Sequence, residues 1–301
     1  MSTIGFVVLS HSHPEQLLAL TRRIGSMFPS AKMSCAHDFG QASLDPRCYP
    51  DFVSFVRPHV STRWAHISVV HAVMGALREL YENEDPDWFV LMSGSDYPVV
   101  AADTILSELQ AGRYDAYLDC RDVTTRTAFV PSSSDAHGFG RSEWVLLAYD
   151  RYLAKHYPSW TEWRRPTWLT LSIRHPWLVW PFHPFRSNLR CFAGDHWFTA
   201  NRRVARVLLD EYENGERLIK HFSKCFVPEE AFYHTVIGNQ PELRVSGDNK
   251  RYADWSLGGW HPKILDVDDL PKIAASRAHF ARKFALGSPV LALLDRVIDQ
   301  K

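Results

Sequence analysis

Two short stretches carry the side chains best placed to do chemistry. In the first, the apolar run Trp88-Phe89-Val90-Leu91-Met92 breaks abruptly into Ser93-Gly94-Ser95-Asp96-Tyr97-Pro98. A run that short, without polar alternation, reads as a strand buried on both faces. Gly94 lets the chain turn, and Pro98 biases Tyr97 toward an extended conformation. Ser95 and the carboxylate of Asp96 therefore lie just past the C-terminal end of a central strand, where open α/β sheets bind ligands. An ordinary strand exit would show the same pattern. The second stretch is Val227-Pro228-Glu229-Glu230. Pro228 suits a first helical turn, and the helix dipole favours carboxylates there, so Glu229 and Glu230 read on local pattern as a helix start. His11 and His13 precede Pro14 at another helix start, a position that can receive an anion and equally one where solvated histidines sit.

Several other chemistries have no residues to support them. There is no Walker motif, no GxGxxG after the first strand, no GxSxG elbow and no HExxH spacing. The paired acidic residues that clamp a metal and a nucleotide in many sugar transferases are missing from the strand end, where Asp96 stands alone. Asp266-Val267-Asp268 has the spacing but reads as a helix start. The five cysteines form no CxxC pair, which argues against a zinc site or a disulfide framework and fits a reducing compartment. Thirty-four basic residues balance 34 acidic ones, so bulk nucleic-acid binding is not expected.

The elements that must hold these residues follow from periodicity. Ile4 to Leu9 is a buried strand, followed by a helix with Leu17, Leu20, Thr21 and Ile24 on one face. Lys32 to Ala36 is a second strand, leading into His37-Asp38. A helix begins near Ser61, capped by Ser61 or Thr62, with Ile67, Val70, Met74 and Leu77 at the 3.6-residue period. Asp103 caps another through Leu109, and Ala116 to Leu118 is a further strand. Strands alternating with helices predict an α/β fold with a mostly parallel central sheet flanked by helices. Asp122 to Ser142 reads as a long loop. Beyond it, Trp160, Trp163, Arg164, Arg165, Trp168, Arg174, Trp177 and Trp180 fit an insertion packed on the sheet, an acceptor platform, or a surface touching anionic lipid. Poor helical amphipathicity favours the packed insertion. Gly194 to Thr199 is strand-like, Arg202 to Glu213 and Ala231 to Ile237 are helices, and a final helix begins near Asp268.

In order along the chain, several fragments resemble one family. They are His37-Asp38; Trp64 with Ser68-Val69-Val70; Phe89 to Pro98; Gly194-Asp195-His196-Trp197-Phe198; Val227 to Glu230; Asp254-Trp255-Ser256 before His261-Pro262; and Phe280-Ala281-Arg282-Lys283-Phe284. Together they resemble the core-2/I-branching glycosyltransferases, a family of β-1,6-N-acetylglucosaminyltransferases and peptide O-xylosyltransferases. Residues 121–184 and 287–301 are poorly covered.

The resemblance implies a GT-A-like fold in one domain over 1–301. Its parts would be a nucleotide-binding half (1–120), a variable insertion (121–190) and an acceptor and catalytic half (191–301). It implies inverting, metal-independent transfer from a UDP-sugar, N-acetylglucosamine or xylose, to a glycan or glycolipid hydroxyl, with no cofactor. By position in the motifs, Glu230 is the general base and Glu229 its neighbour. Lys283 stabilises the departing diphosphate, with Arg251, Lys263 or Arg282 as a second cation. Trp255 packs against the acceptor sugar, His37 and Asp38 lie by the nucleotide, and Ser95, Asp96 and His11 lie near the donor. The chain runs straight into a strand, with no signal-peptide pattern and no apolar run long enough for a bilayer. It looks like a bacterial-type, cytoplasmic member, with peripheral contact at the inner membrane through the Trp/Arg-rich stretch as a further expectation. Two alternatives are a metal-dependent sugar nucleotidyltransferase and a non-catalytic glycan-binding module on the same fold.

Overall fold

Alternate apolar residues of the two longest central strands pack to opposite sides of one sheet. The computed structural model describes residues 2–124, 141–157, 171–186, 188–259 and 261–299. The elements in chain order are β1 (Ile4–Ser10), α1 (Pro14–Met27), β2 (Lys32–His37), β3 (Val53–Phe55), α2 (Ser68–Asn83), β4 (Trp88–Ser93), β5 (Tyr97–Pro98) and α3 (Ala102–Gln110). Next come β6 (Ala116–Tyr117), β7 (Arg121–Asp122), α4 (Arg141–Tyr152), β8 (Lys155–Tyr157), β9 (Leu171–Ile173), α5 (Pro176–Val179), β10 (Phe192–Ala193) and β11 (Thr199–Asn201). The chain then forms α6 (Arg202–Asn214), α7 (Glu216–Phe222), α8 (Phe232–Gly238), β12 (Arg251–Ala253), α9 (Leu270–Ser276), β13 (Phe280–Arg282) and α10 (Pro289–Asp299).

The main sheet has the order β3-β2-β1-β4-β11-β6. The first four strands are parallel, and β11 pairs antiparallel with both β4 and β6. Val7, Phe89 and Leu91 face one core with α2, α6 and α8. Phe6, Val8, Val90 and Met92 face the other with α1, α3 and α10. Burial on both faces explains why β1 and β4 read as unbroken apolar runs. The result is a mixed α/β fold with a central, mostly parallel sheet flanked by helices, as expected of a GT-A-like chain. A second sheet, β12-β13-β5, brings the C-terminal strand β13 against the turn that follows β4.

Several element boundaries differ from the sequence reading, each for a local reason. Helix α2 starts at Ser68, not near Ser61, because Thr62 donates through its backbone N–H and its hydroxyl to Asp38. Asp103 lies inside the first turn of α3, and Ala101 is the cap. Of the Gly194–Thr199 run only Thr199 enters a strand. The segment near Asp268 is a 3₁₀ turn with Asp266 as its cap, and the last helix is α10, with Val290, Leu294 and Ile298 buried at helical spacing. The expected loop over 122–142 gives way to α4 by Arg141, and most of it lies outside the described residues. Trp160, Trp163, Arg164, Arg165 and Trp168 also lie outside them. Trp177 and Trp180 do not pack as an insertion would: they are 78% and 56% exposed.

Candidate functional site

The loops leaving the C-terminal ends of β1 and β4 open into a cavity of about 490 Å³. Ser10 to His13 border it from β1 and the start of α1, and Ser93 to Ser95 from the end of β4. Arg282 and Lys283 enter at the end of β13, and Glu229 and Glu230 from the turn before α8. This is the position where α/β sheets place ligands.

One part of the wall is cationic. Pairing of Ala281 with Tyr97 sets β13 beside the β4 turn, and the Phe284 N–H donates to Ser95 O at 3.0 Å. The Lys283 carbonyl accepts from Leu265 N–H at 2.7 Å. These bonds fix the backbone that carries Arg282 and Lys283. Arg282 is ion-paired to Asp96 at 3.1 Å and its guanidinium lies 4.6 Å from the Trp197 ring centroid. Burial, then Arg282, lowers the Lys283 ammonium pKa. Burial and Lys283 likewise lower His11, and burial with Lys283 and Arg282 lowers His261. The positive charges on this wall therefore repel one another, an arrangement suited to a polyanion.

Another part carries the carboxylates. Val227, a β-branched residue, holds a left-handed backbone (φ 53°), an outlier that only its surroundings can enforce. Its N–H donates to Ala65 O at 3.2 Å and its carbonyl accepts from the Tyr152 hydroxyl at 2.9 Å. That kink turns the following residues into the cavity. Arg151 donates to Glu230 Oε2 at 2.9 Å. Glu229 is buried, its Oε2 has no hydrogen-bond partner, and burial plus the charge of Glu230 raises its pKa to about 8.

Glu229 is therefore mostly protonated near neutral pH. Its pKa is raised above the ordinary 4.5, so the stability it contributes is full below 4.5 and is lost as pH rises through about 8. At about 1.4 kcal/mol per pH unit, that loss is on the order of a few kcal/mol. Glu229→Gln removes this dependence. Thermal unfolding of the two proteins from pH 5 to 9 should show wild type falling relative to the variant, and parallel curves would refute the assignment.

Of the residues singled out in the sequence, Glu230, Glu229, Lys283, Trp255, Ser95 and His11 line this one cavity. The other four stand behind it. Asp96 is 2% exposed and accepts from Ser93 N–H and its hydroxyl while pairing with Arg282. His37 bonds Ser10 Oγ at 3.1 Å and Ala42 O at 2.7 Å. Burial opposes the charge of Asp38, but hydrogen bonds from Gln41, Thr62 and Gly40 hold its pKa at about 2. Both Gln41 and Thr62 line the cavity, so Asp38 shapes its wall. Arg251 does not reach it. Its guanidinium is buried and donates to Leu91 O, Phe198 O and Thr199 Oγ1, and burial lowers its pKa to about 10. Lys263 is bound to Asp269 at 2.8 Å, so of the three candidates for a second cation only Arg282 is on the cavity wall. Gly94 turns without a left-handed backbone. Gly194 is the glycine the site needs, since a Cβ there would sit 1.7 Å from Asp119 O. Arg151 was not foreseen, because the stretch around it has little periodicity. Among the described residues, no three His, Cys, Asp or Glu side chains group as metal ligands.

The chain is 27% identical over 235 residues to the β-glucuronosyltransferase GlcAT14A of Arabidopsis thaliana, covering 76% of this chain and 45% of that protein. It is 25% identical over 246 residues to xylosyltransferase 1 of Homo sapiens, covering 75% of this chain and 22% of that protein. The chain thus spans less than half the length of these relatives. The sequence profile of the Core-2/I-Branching enzymes matches residues 43–274, which takes in the β4 turn, the Val227–Glu230 turn and Trp255. With that match over most of its length, the chain belongs to the Core-2/I-Branching enzyme family.

Proposed function

We propose that the protein is an inverting glycosyltransferase that moves a sugar from a UDP-sugar to a hydroxyl of a glycan or glycolipid without a metal ion. The observation that carries this reading is a single cavity walled by both a braced carboxylate, Glu230, and the fixed cations Arg282 and Lys283. Glu230 takes the proton of the acceptor hydroxyl as that oxygen bonds to the anomeric carbon. The bond from that carbon to the diphosphate oxygen breaks, and its electron pair leaves with UDP. Attack opposite the leaving group inverts the configuration. Lys283 and Arg282 offset the charge that develops on the diphosphate, the role a metal would otherwise fill. Arg151 orients the Glu230 carboxylate, and a protonated Glu229 adds no competing negative charge beside it. Trp255 and Trp64 offer ring faces of the kind that pack on a pyranose.

The donors proposed are UDP-N-acetylglucosamine and UDP-xylose, and likeness to the Arabidopsis β-glucuronosyltransferase adds a glucuronosyl donor, tested as UDP-glucuronic acid. Thermal shift against these three in excess EDTA tests the reading. A selective, EDTA-resistant shift is expected. A shift abolished by EDTA would favour a metal-dependent nucleotidyltransferase, and donor binding without any transfer a glycan-binding module.

A further inference from the structure

A second cavity, of about 310 Å³, lies beyond Arg151. Its wall is strongly basic. Arg151, Lys155, Arg186, Arg217, Lys220 and Lys224 line it, and no described Asp or Glu does. Arg217, Lys220 and Lys224 recur at helical spacing along α7 and the turn after it, Lys155 comes from β8, and Arg151 from the last turn of α4. Among the described residues, Lys155, Arg217, Lys220 and Lys224 form no ion pair with a carboxylate. His183 also lines the cavity. It is 8% exposed, and its buried Nδ1 has no hydrogen-bond partner. Burial, with Arg186 close by, lowers its pKa to about 4. A concave site with this much unbalanced positive charge and an unmet polar nitrogen is built for an anion.

The rim shows what carries the anion. Trp177, Trp180 and Phe182 are 78%, 56% and 52% exposed, in α5 and the 3₁₀ turn after it. Phe182 also lines the cavity, and the Arg186 guanidinium lies 4.3 Å from the Trp180 ring centroid, so rings and cations form one surface. A soluble phosphate would account for the cations but not for exposed aromatic rings on the same segment. Aromatic rings at the level of the headgroups, with basic side chains reaching phosphates, are the chemistry of a bilayer surface.

We propose that this cavity binds the phosphate headgroup of a lipid, with Trp177, Trp180 and Phe182 seated in the bilayer surface around it. Arg151 lines both cavities and holds Glu230 at 2.9 Å, so the bound headgroup lies one side chain from the proposed base. On the glycosyl-transfer reading, on which this last step rests, the acceptor is a hydroxyl carried on or beside a lipid phosphate.

Flotation of the whole chain with vesicles of phosphatidylcholine, alone or mixed with phosphatidic acid, tests the site. Partition into the mixed vesicles should exceed that into phosphatidylcholine by on the order of tenfold or more. The variant Arg217→Ala/Lys220→Ala/Lys224→Ala should lose that excess, and Trp177→Ser/Trp180→Ser should bind both vesicles less. A cooperative thermal unfolding transition close to that of wild type confirms that each variant is folded. Equal binding to both vesicles, or a triple variant that floats like wild type, overturns the proposal. So does stabilisation by glycerol 3-phosphate without flotation, which would mark a soluble phosphate ligand. Flotation that survives when no UDP-sugar binds would leave the lipid site standing and sink the glycosyl-transfer reading, so the two fail separately.

Discussion

Glu230→Gln should lower the transfer rate by about 10²–10⁴-fold, the usual contribution of a general base, while UDP binding stays close to wild type. The substitution keeps the size of the side chain and an oxygen that can accept from Arg151, so the 2.9 Å contact can persist. What it removes is the ability to accept the acceptor's proton. The Val227 turn is braced by Ala65 and by Tyr152, which also bonds Arg151, and a glutamine that still accepts from Arg151 keeps this network, so the fold should be retained. The comparison with Glu229→Gln is informative. Glu229 is buried and mostly protonated, and replacing it should change the pH dependence of stability far more than the rate at neutral pH. Steady-state rates of both variants, with thermal shift against UDP, make the measurement. An undiminished rate in Glu230→Gln would rule out this carboxylate as the base.

Lys283→Met should cost about 10²–10³-fold in kcat/KM, comparable to removing one preorganised donor to a developing anion. Lys283 is half-buried, and its charge is already disfavoured by burial and by Arg282. A diphosphate would relieve that cost, and the benefit grows as negative charge moves onto the leaving oxygen. Methionine keeps the length and apolar stem, so the cavity wall is retained. Arg282 is the less clean target, because its ion pair with Asp96 also ties the β4 turn to β13. UDP affinity of Lys283→Met should fall together with kcat. A variant with full activity would move the leaving-group role to another cation.

The strands that build the site were legible because burial on both faces leaves no alternative to an apolar run, as in β1 and β4. The α1 face was legible for a related reason: Leu17, Leu20 and Ile24 repeat at the helical period. Roles that depend on what a side chain faces were not. Arg251 and Arg282 are both arginines in short strands. They share a face of the β12–β13 pair, two rows apart, and that offset puts one against the carbonyls of Leu91 and Phe198 and the other at the cavity. His37 and Asp38, expected beside the nucleotide, lie behind the cavity wall and bond Ser10 and Thr62. Thr62, taken as a helix cap, is held by that same Asp38. Arg151 was invisible because α4 is weakly amphipathic and its partner, Glu230, is distant in sequence.

The pairing of β13 with β5 sets Phe280 opposite Pro98 and Ala281 opposite Tyr97. Contacts so far apart along the chain form late, because a long loop must close before they repay its entropy. The parallel core of β1, β2 and β4 is complete by Ser93, whereas Arg282 and Lys283 lie much further along the chain. During translation the scaffold, and Glu230 on its turn, are therefore made well before Arg282 and Lys283 of the cavity wall. The cationic wall of the cavity is completed only when β13 docks against β5.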